Sequence, residues 1–367
     1  MPAGRAFSLM NLRFAAFVAA LAAALSVSTT ATGAGFADVL DTPATRSPLA
    51  ARSLLLAVAP AGDRLVAVGQ RGHIVVSTDG GATWSQATVP VSVDLTAVTF
   101  VDARLGFAVG HDGVILRSDD GGERWRLMLD GRRLNDKLVE AMERRVADQP
   151  RSAKMTALLA EAKRYREQGP DKPFLDVWFA DANEGWAVGA YNLIVRTVDG
   201  GRTWEPWFDR TDNPKLQNLH AIRPVGGSLY VAGEAGLVLK LDPATRQFRG
   251  LAVPYSGGFF GIADAGGAVL AFGLRGNAWR SDDGGASWTK VDSGLAASIV
   301  ASARTSAGAT LLADAGGRIV RSDDGGRTFV ALKATPSMPL AGTTALRDDR
   351  LVVVGPRGVA NATLAAR

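Results

Sequence analysis

Five aspartates stand in one recurring setting, and a carboxylate there admits three chemistries: proton transfer, metal ligation, or acceptance of hydrogen bonds from backbone amides. Asp79 lies in Ser77 to Trp84 (STDGGATW), Asp120 in Ser118 to Trp125 (SDDGGERW), Asp199 in Thr197 to Trp204 (TVDGGRTW), Asp283 in Ser281 to Trp288 (SDDGGASW) and Asp324 in Ser322 to Phe329 (SDDGGRTF). Copies spread along a chain cannot converge on one substrate atom, so the repetition selects the structural chemistry. Each Asp is expected to accept from amides about two residues ahead while the paired glycines supply positive φ. The closing Trp84, Trp125, Trp204, Trp288 or Phe329 then covers the edge of a sheet.

A second phrase carries the residues suited to binding. It reads VAVGQRG from Val66, FAVGHDG from Phe107, WAVGAYN from Trp186, YVAGEAG from Tyr230, LAFGLRG from Leu270, LLADAGG from Leu311 and VVVGPRG from Val352. Arg71, His111, Tyr191, Glu234, Arg275 and Arg357 fall at comparable places in its turns. Three guanidinium groups there could grip carboxylates or an acidic peptide by forked hydrogen bonds, against the plain alternative that turn tips are polar anyway. His73, His111 and His220 are isolated, without metal-ligand spacing. The chain has no cysteine, so a disulfide, a thiolate metal site and a lipid-modified cysteine are all excluded. The glycine turns link two strands and open no helix, so they form no phosphate-cradling loop. Neither a cofactor nor a metal is expected.

The elements that would position these residues follow from the repeat. Successive copies stand about 41 residues apart, the period of a four-stranded propeller blade. Apolar residues make up 47% of the chain and glycine is abundant, which suits many short strands joined by tight turns. The expected fold is all-β, a seven-bladed β-propeller. In the second unit the strands are Leu95 to Phe100, Gly106 to Gly110, Val114 to Ser118 and Trp125 to Leu129. Alternate connections fall on opposite faces of the disk, the Asp-bearing turns on one and the GxxG turns on the other. The last unit shows only three strands, Thr343 to Leu346, Leu351 to Val354 and Val359 to Leu364. A segment between Asp38 and Ala50, near Val39, is expected to supply its outer strand and close the ring. Asn361-Ala362-Thr363 matches a glycosylation sequon but falls in that last predicted strand.

Between Trp125 and Trp204 the spacing nearly doubles, leaving an insertion over 131–173, between blades 2 and 3. Leu134, Leu138, Met142 and Val146 recur at helical spacing, as do Met155, Leu158, Leu159, Ala162 and Tyr165, predicting a helical hairpin on the GxxG face. Its basic residues include Arg144, Arg145 and Arg164, readable as a solvated helix face or as a binding patch. The arginine or lysine preceding each Asp-box (Arg117, Arg196, Lys240, Arg280, Arg321) is expected to pair with neighbouring carboxylates or to pack between blades.

The S-x-D-G-G-x-T-W copies resemble the Asp-box, or BNR, repeat, and V-G-x-x-G-x-I-x-R-S-x-D-G-G resembles the photosystem II stability and assembly factor family, which includes exported bacterial relatives in organisms without photosystems. The resemblance covers nearly everything from about Asp38 onward; the long insertion departs from the photosynthetic pattern. It implies a non-catalytic scaffold that holds a protein client, a membrane protein or an envelope export complex, with peripheral membrane association allowed. Asp-boxes also occur in sialidases, so the alternative is a glycoside hydrolase using Tyr191 or Tyr255 with Glu234 beneath Arg71, Arg275 and Arg357. The Phe-Arg-Ile-Pro motif of sialidases is absent, Arg223 before Pro224 being only a fragment of it.

Residues 1–34 read as a signal peptide: Arg5 and Arg13 flank the uncharged apolar run Phe14 to Val27, and small residues follow, with cleavage expected near Ala31 to Ala34. The propeller then occupies 35–367 in a periplasmic or equivalent lumenal space. A formal net charge of +5 is too modest for a nucleic-acid partner and points only weakly to an acidic one.

Overall fold

The computed structural model describes residues 37–335, 338–346 and 350–366; the expected signal peptide lies outside the described residues. The unit beginning at Val39 is built from antiparallel sheets of up-and-down strands. Its innermost strands are Leu55–Ala61, Leu95–Phe100, Phe174–Phe179, Leu219–Val225, Phe259–Ala265, Ile299–Arg304 and Gly342–Ala345. Each touches the next in chain order and the last touches the first, so the seven blades close into a ring. Seven apolar clusters fill it, and each is shared by two adjacent blades. The core is therefore a set of inter-blade layers. This explains why the second strand of each blade, such as Gly106–Gly110, is buried on both sides and reads as an unbroken apolar run.

The last blade corrects one expectation. No strand forms between Asp38 and Ala50. The third strand of blade 7, Gly358–Ala366, pairs instead with Val330–Thr335, the outer strand of blade 6, so the two blades share one seven-stranded sheet. The physical reason is competition for an edge. Val330–Thr335 extends past its pairing with the third strand of blade 6 and offers a free edge, whereas Pro43 and Pro48 keep residues 39–50 out of a ladder. That segment straps the outer edge of blade 1: the Ala44 amide donates to Val89 O (3.1 Å) and the Ser92 amide to Val39 O (2.9 Å).

The Asp-box is a self-stitched turn. Asp79 accepts from the Thr83 amide (2.9 Å) and hydroxyl (2.6 Å), four residues ahead and not two, and Ser77 Oγ donates to it at 2.8 Å. Asp120, Asp199, Asp283 and Asp324 repeat the arrangement. Trp84, Trp125 and Trp288 donate from Nε1 to the second glycine of their own box, whereas the buried Trp204 Nε1 finds no acceptor among the described residues. The preceding cations staple neighbours together: Arg117 donates to Gly200 O, Lys240 to Gly284 O (3.2 Å) and Arg280 to Gly325 O (2.6 Å), each in the next blade.

The insertion is the expected hairpin. Helix α1 spans Gly131–Asp148, with Asp130 capping the Arg133 amide; α2 spans Ala153–Gln168, capped by Ser152. Leu134, Leu138, Met142, Met155, Leu158, Ala162 and Tyr165 are buried and join the cluster between blades 2 and 3. Tyr165 donates to Tyr191 O (3.3 Å), which seats the hairpin on the GxxG face as anticipated. Among the described residues no helix is long and apolar enough to cross a membrane.

Candidate functional site

The GxxG turns all lie between second and third strands, and in five blades they form a single tight turn whose tip is a non-glycine residue in the left-handed region, joined in blade 3 by Asn192 (φ 63) where the others have glycine. The tips are Arg71, Asp112, Tyr191, Ala235 and Arg275. The register is thus corrected at two positions. His111 and Glu234 stand one residue earlier than the left-handed tip.

A left-handed conformation costs roughly 1–2 kcal/mol for a residue bearing a Cβ, so something must hold it. The holder is a polar side chain from the approach to the next inner strand. Asp94 accepts the Arg71 amide (2.8 Å), Asn218 the Tyr191 amide (2.7 Å) and Ser298 the Arg275 amide (3.3 Å). The backbone is pinned and the side chain is left outside. Arg71, Arg275 and the turn residue Arg357 are exposed, and among the described residues none has a carboxylate within ion-pair distance. His111 is exposed too. Glu234 is engaged: it accepts from the Asn218 amide and side chain, both at 3.0 Å. Tyr191 is half exposed, with Lys172 Nζ 5.7 Å from its ring.

Sequence reasoning missed one cavity on this face. The strap and blade 1 enclose a cavity of about 740 Å³ lined by Arg46, Leu49, Arg52, Arg71, His73 and Ser92. Arg46 hydrogen-bonds to Gln86 O and Thr88 Oγ1 (both 3.2 Å), and among the described residues neither it nor Arg52 meets a carboxylate. His73 is buried, with Ser53 Oγ 2.9 Å from its Nδ1; burial, and then the neighbouring Arg71, lower its pKa against the pull of Asp94. Leu49 and Val39 leave apolar surface beside these cations. The signal available in sequence was the cluster Arg46, Arg52, Arg71, obscured by assigning the strap to a strand.

On the hairpin, Arg144 is exposed, Arg145 pairs with Asp209 (3.0 Å), and Arg164 is held by Glu161 (2.9 Å). Among the described residues Arg144 alone of these three has no carboxylate partner. An apolar groove of about 640 Å³ runs between α2 and residues 208–216, with Leu158, Phe208, Pro214 and Leu216 on its walls.

The central channel holds about 210 Å³ and is lined by all the inner strands. Its charged feature is Asp176, which accepts from Arg223, the Ile222 amide (2.8 Å) and the Val177 amide (2.9 Å). Burial pushes the Asp176 carboxyl up; Arg223 and those amides hold it down. This pair ties blade 3 to blade 4. Nor is the glycosidase constellation assembled. Tyr255 donates to Leu274 O, Tyr165 to Tyr191 O and Tyr230 to Gly284 O, and among the described residues no tyrosine bonds a carboxylate.

A ring of blades stitched by Asp-boxes, with a cationic turn face, defines an Asp-box β-propeller. Within that class, the chain belongs to the family described as photosynthesis system II assembly factor YCF48, whose sequence profile matches residues 48–158 and 165–317. It is 29% identical over 195 residues to the photosystem II assembly lipoprotein Ycf48 of Synechococcus sp. (strain CC9902), covering 53% of this chain and 44% of that one. A Ycf48 lipoprotein of Picosynechococcus sp. (strain ATCC 27264 / PCC 7002 / PR-6) is 43% identical over 61 residues, 16% of this chain and 18% of that one. The chain thus spans less than half the length of these curated relatives. Among solved structures, YCF48 bound to D1 peptide superposes with a TM-score of 0.61 at 14% identity, covering 86% of this chain and 94% of that one. The WD40 propeller of Doa1 gives 0.60 at 9% identity, covering 89% and 97%. Such low identities establish the fold and nothing finer.

Proposed function

We propose that this protein is a non-catalytic assembly or stability factor of an exported compartment, a scaffold that holds a segment of a client polypeptide against its GxxG face. The client is a membrane protein or a component of an envelope complex. The observation that carries the reading is the set of exposed arginines without carboxylate partners among the described residues on that face, Arg71, Arg275 and Arg357, continuous at Arg71 with a cavity that adds Arg46 and Arg52. Such a cavity suits a chain segment ending in, or rich in, carboxylates and carrying an apolar side chain for Leu49. Family membership supports the word assembly, and the D1 peptide named with a structural neighbour supports a polypeptide ligand. The relatives are named lipoproteins, whereas the sequence here contains no cysteine to carry a lipid.

The test is affinity capture from crosslinked envelope fractions, comparing wild type with a triple Arg71→Glu, Arg275→Glu, Arg357→Glu variant. The variant is expected to lose a specific membrane partner while keeping its thermal transition. Undiminished capture would move the interface off this face.

A further inference from the structure

The cavity under the strap holds a histidine whose tautomer is fixed by its neighbours. Ser53 Oγ lies 2.7 Å from Ala50 O and 2.9 Å from His73 Nδ1. A hydroxyl has one proton, and a carbonyl only accepts, so that proton goes to Ala50 O. Ser53 Oγ therefore meets the ring as an acceptor, and the neutral imidazole carries its hydrogen on Nδ1 and its lone pair on Nε2. Nε2 has no hydrogen-bond partner among the described residues, yet it is not sealed from solvent. The 7% of His73 that stays exposed lines the cavity bounded by the strap.

Charged groups face this ring from four elements. The turn of blade 1 brings Arg71, the strap Arg46, the short turn Ala50–Arg52 its Arg52, and the approach to the inner strand of blade 2 brings Asp94. Among the described residues no carboxylate lines the cavity itself, and Asp94 already accepts the Arg71 amide at 2.8 Å. An imidazolium would add a fourth positive charge to three. Burial, and then Arg71, accordingly hold the His73 pKa below its ordinary 6.5 against the pull of Asp94, which leaves the ring neutral at neutral pH. A carboxylate entering the cavity reverses that balance. It places negative charge beside the ring and supplies the acceptor that an Nε2–H requires, both of which favour the charged form.

We propose that His73 makes capture at this cavity proton-linked: a carboxylate-bearing client segment binds together with one proton from solvent, which goes to His73 Nε2 and turns the ring into a fourth cationic contact. This rests on the reading of the cavity as a carboxylate site. The sign follows from linkage, since a ligand that raises the affinity of the ring for a proton is itself bound more tightly when the proton is present. Affinity rises as pH falls through the raised pKa of the liganded ring and levels off below the lowered pKa of the free one.

The experiment is calorimetric titration with the acetylated peptide Ac-Glu-Leu-Glu-Leu, bearing a free C-terminal carboxylate, between about pH 8 and about pH 5.5, where its carboxylates stay ionised. Repeating it in buffers of different ionisation enthalpy counts the protons taken up. Binding is expected to be about tenfold tighter at the acid end, the equivalent of one pKa unit at a histidine gaining an opposite charge. His73→Asn, whose amide still offers a donor to Ser53, should bind without proton uptake. His111, whose amide donates to Asp94 O (2.8 Å), is the control: His111→Gln should keep the uptake, and its loss there would overturn the assignment to His73. His73 is buried, so its ring is also followed by NMR in the unaltered protein. Nitrogen shifts should report the Nδ1–H tautomer, and the pKa should climb about one unit on saturation with peptide. Binding that ignores pH, with an unmoved His73 pKa, would overturn the proton linkage and leave the carboxylate site standing. No binding at any pH would overturn the carboxylate site and the linkage with it.

Discussion

Asn361, in the third strand of blade 7, donates from Nδ2 to the carbonyl of Gly80 in the Asp-box of blade 1 at 3.2 Å. This bond joins the two ends of the ring. It repeats at the closing interface what Arg117, Lys240 and Arg280 do between interior blades. The apolar layer it reinforces has only the buried residues Ala50, Leu55, Ala67, Val75 and Val354, fewer than any other inter-blade layer among the described residues, so a polar latch carries more of the closure there than elsewhere.

Asn361→Ala is therefore expected to lower stability by about 0.5–1 kcal/mol, the net worth of one partly exposed hydrogen bond. Hydrogen exchange should quicken in blades 1 and 7 before the other blades. Uniform quickening around the ring would show that closure is carried by packing alone.

Acid stability should follow the Asp-boxes. The Thr83 hydroxyl and amide, with Ser77, hold Asp79 at about 2, below its ordinary 3.8. Asp283 and Asp324 are lowered in the same way by Ser287 and Thr328. A carboxyl whose folded pKa is depressed contributes stability in full above its unfolded value and loses it as pH falls through the folded one. The melting temperature is thus expected to fall from about pH 4 toward pH 2. A combined Asp79→Asn, Asp283→Asn, Asp324→Asn variant should start lower and fall less over that window. An identical acid slope in variant and parent would remove the Asp-boxes as its cause.

The blades and the Asp-boxes were legible in the sequence because their determinants are local: a serine, an aspartate and two glycines within five residues write the whole turn. The hairpin was legible because Leu134, Leu138 and Met142 keep helical period on one face. Ring closure was not, since two edges competed for Gly358–Ala366 and only three-dimensional proximity decides between them. The turn register slipped by one because residue type was aligned where backbone conformation sets the tip; Asp112 and Ala235 hold that place, not His111 and Glu234. The capping residues Asp94, Asn218 and Ser298 were invisible for a related reason: each acts on the blade before it.

In the channel, Asp176 should prove structural. It takes hydrogen bonds from two amides and one guanidinium and bridges blades 3 and 4. Asp176→Ala is expected to cost about 2–3 kcal/mol, below the full penalty of a broken buried pair because the Arg223 side chain is 43% exposed and can rehydrate. Denaturant unfolding measures it. A change under 0.5 kcal/mol, combined with loss of client capture, would make the channel part of the binding site.

The hairpin should melt with the propeller and not before it. Leu138 and Met142 are fully buried in the same cluster as Phe107, Phe179 and Trp204 from blades 2 and 3, so the helices have no core of their own. Gly113 tightens the joint: it has φ +64, and a Cβ there would lie 2.7 Å from Gly131 Cα, so the turn and the start of α1 fit only without a side chain. Asn135 ties the two helices together, donating to Tyr165 O (3.2 Å) and Gly169 O (2.9 Å). Leu138→Ala is expected to cost about 2–5 kcal/mol and to shift the circular dichroism of the helices and the fluorescence of buried tryptophan by the same interval. Helical signal lost at a lower temperature than tryptophan signal would mark the hairpin as a separately folding lobe, and its contacts with blades 2 and 3 would then be docking surfaces instead of core.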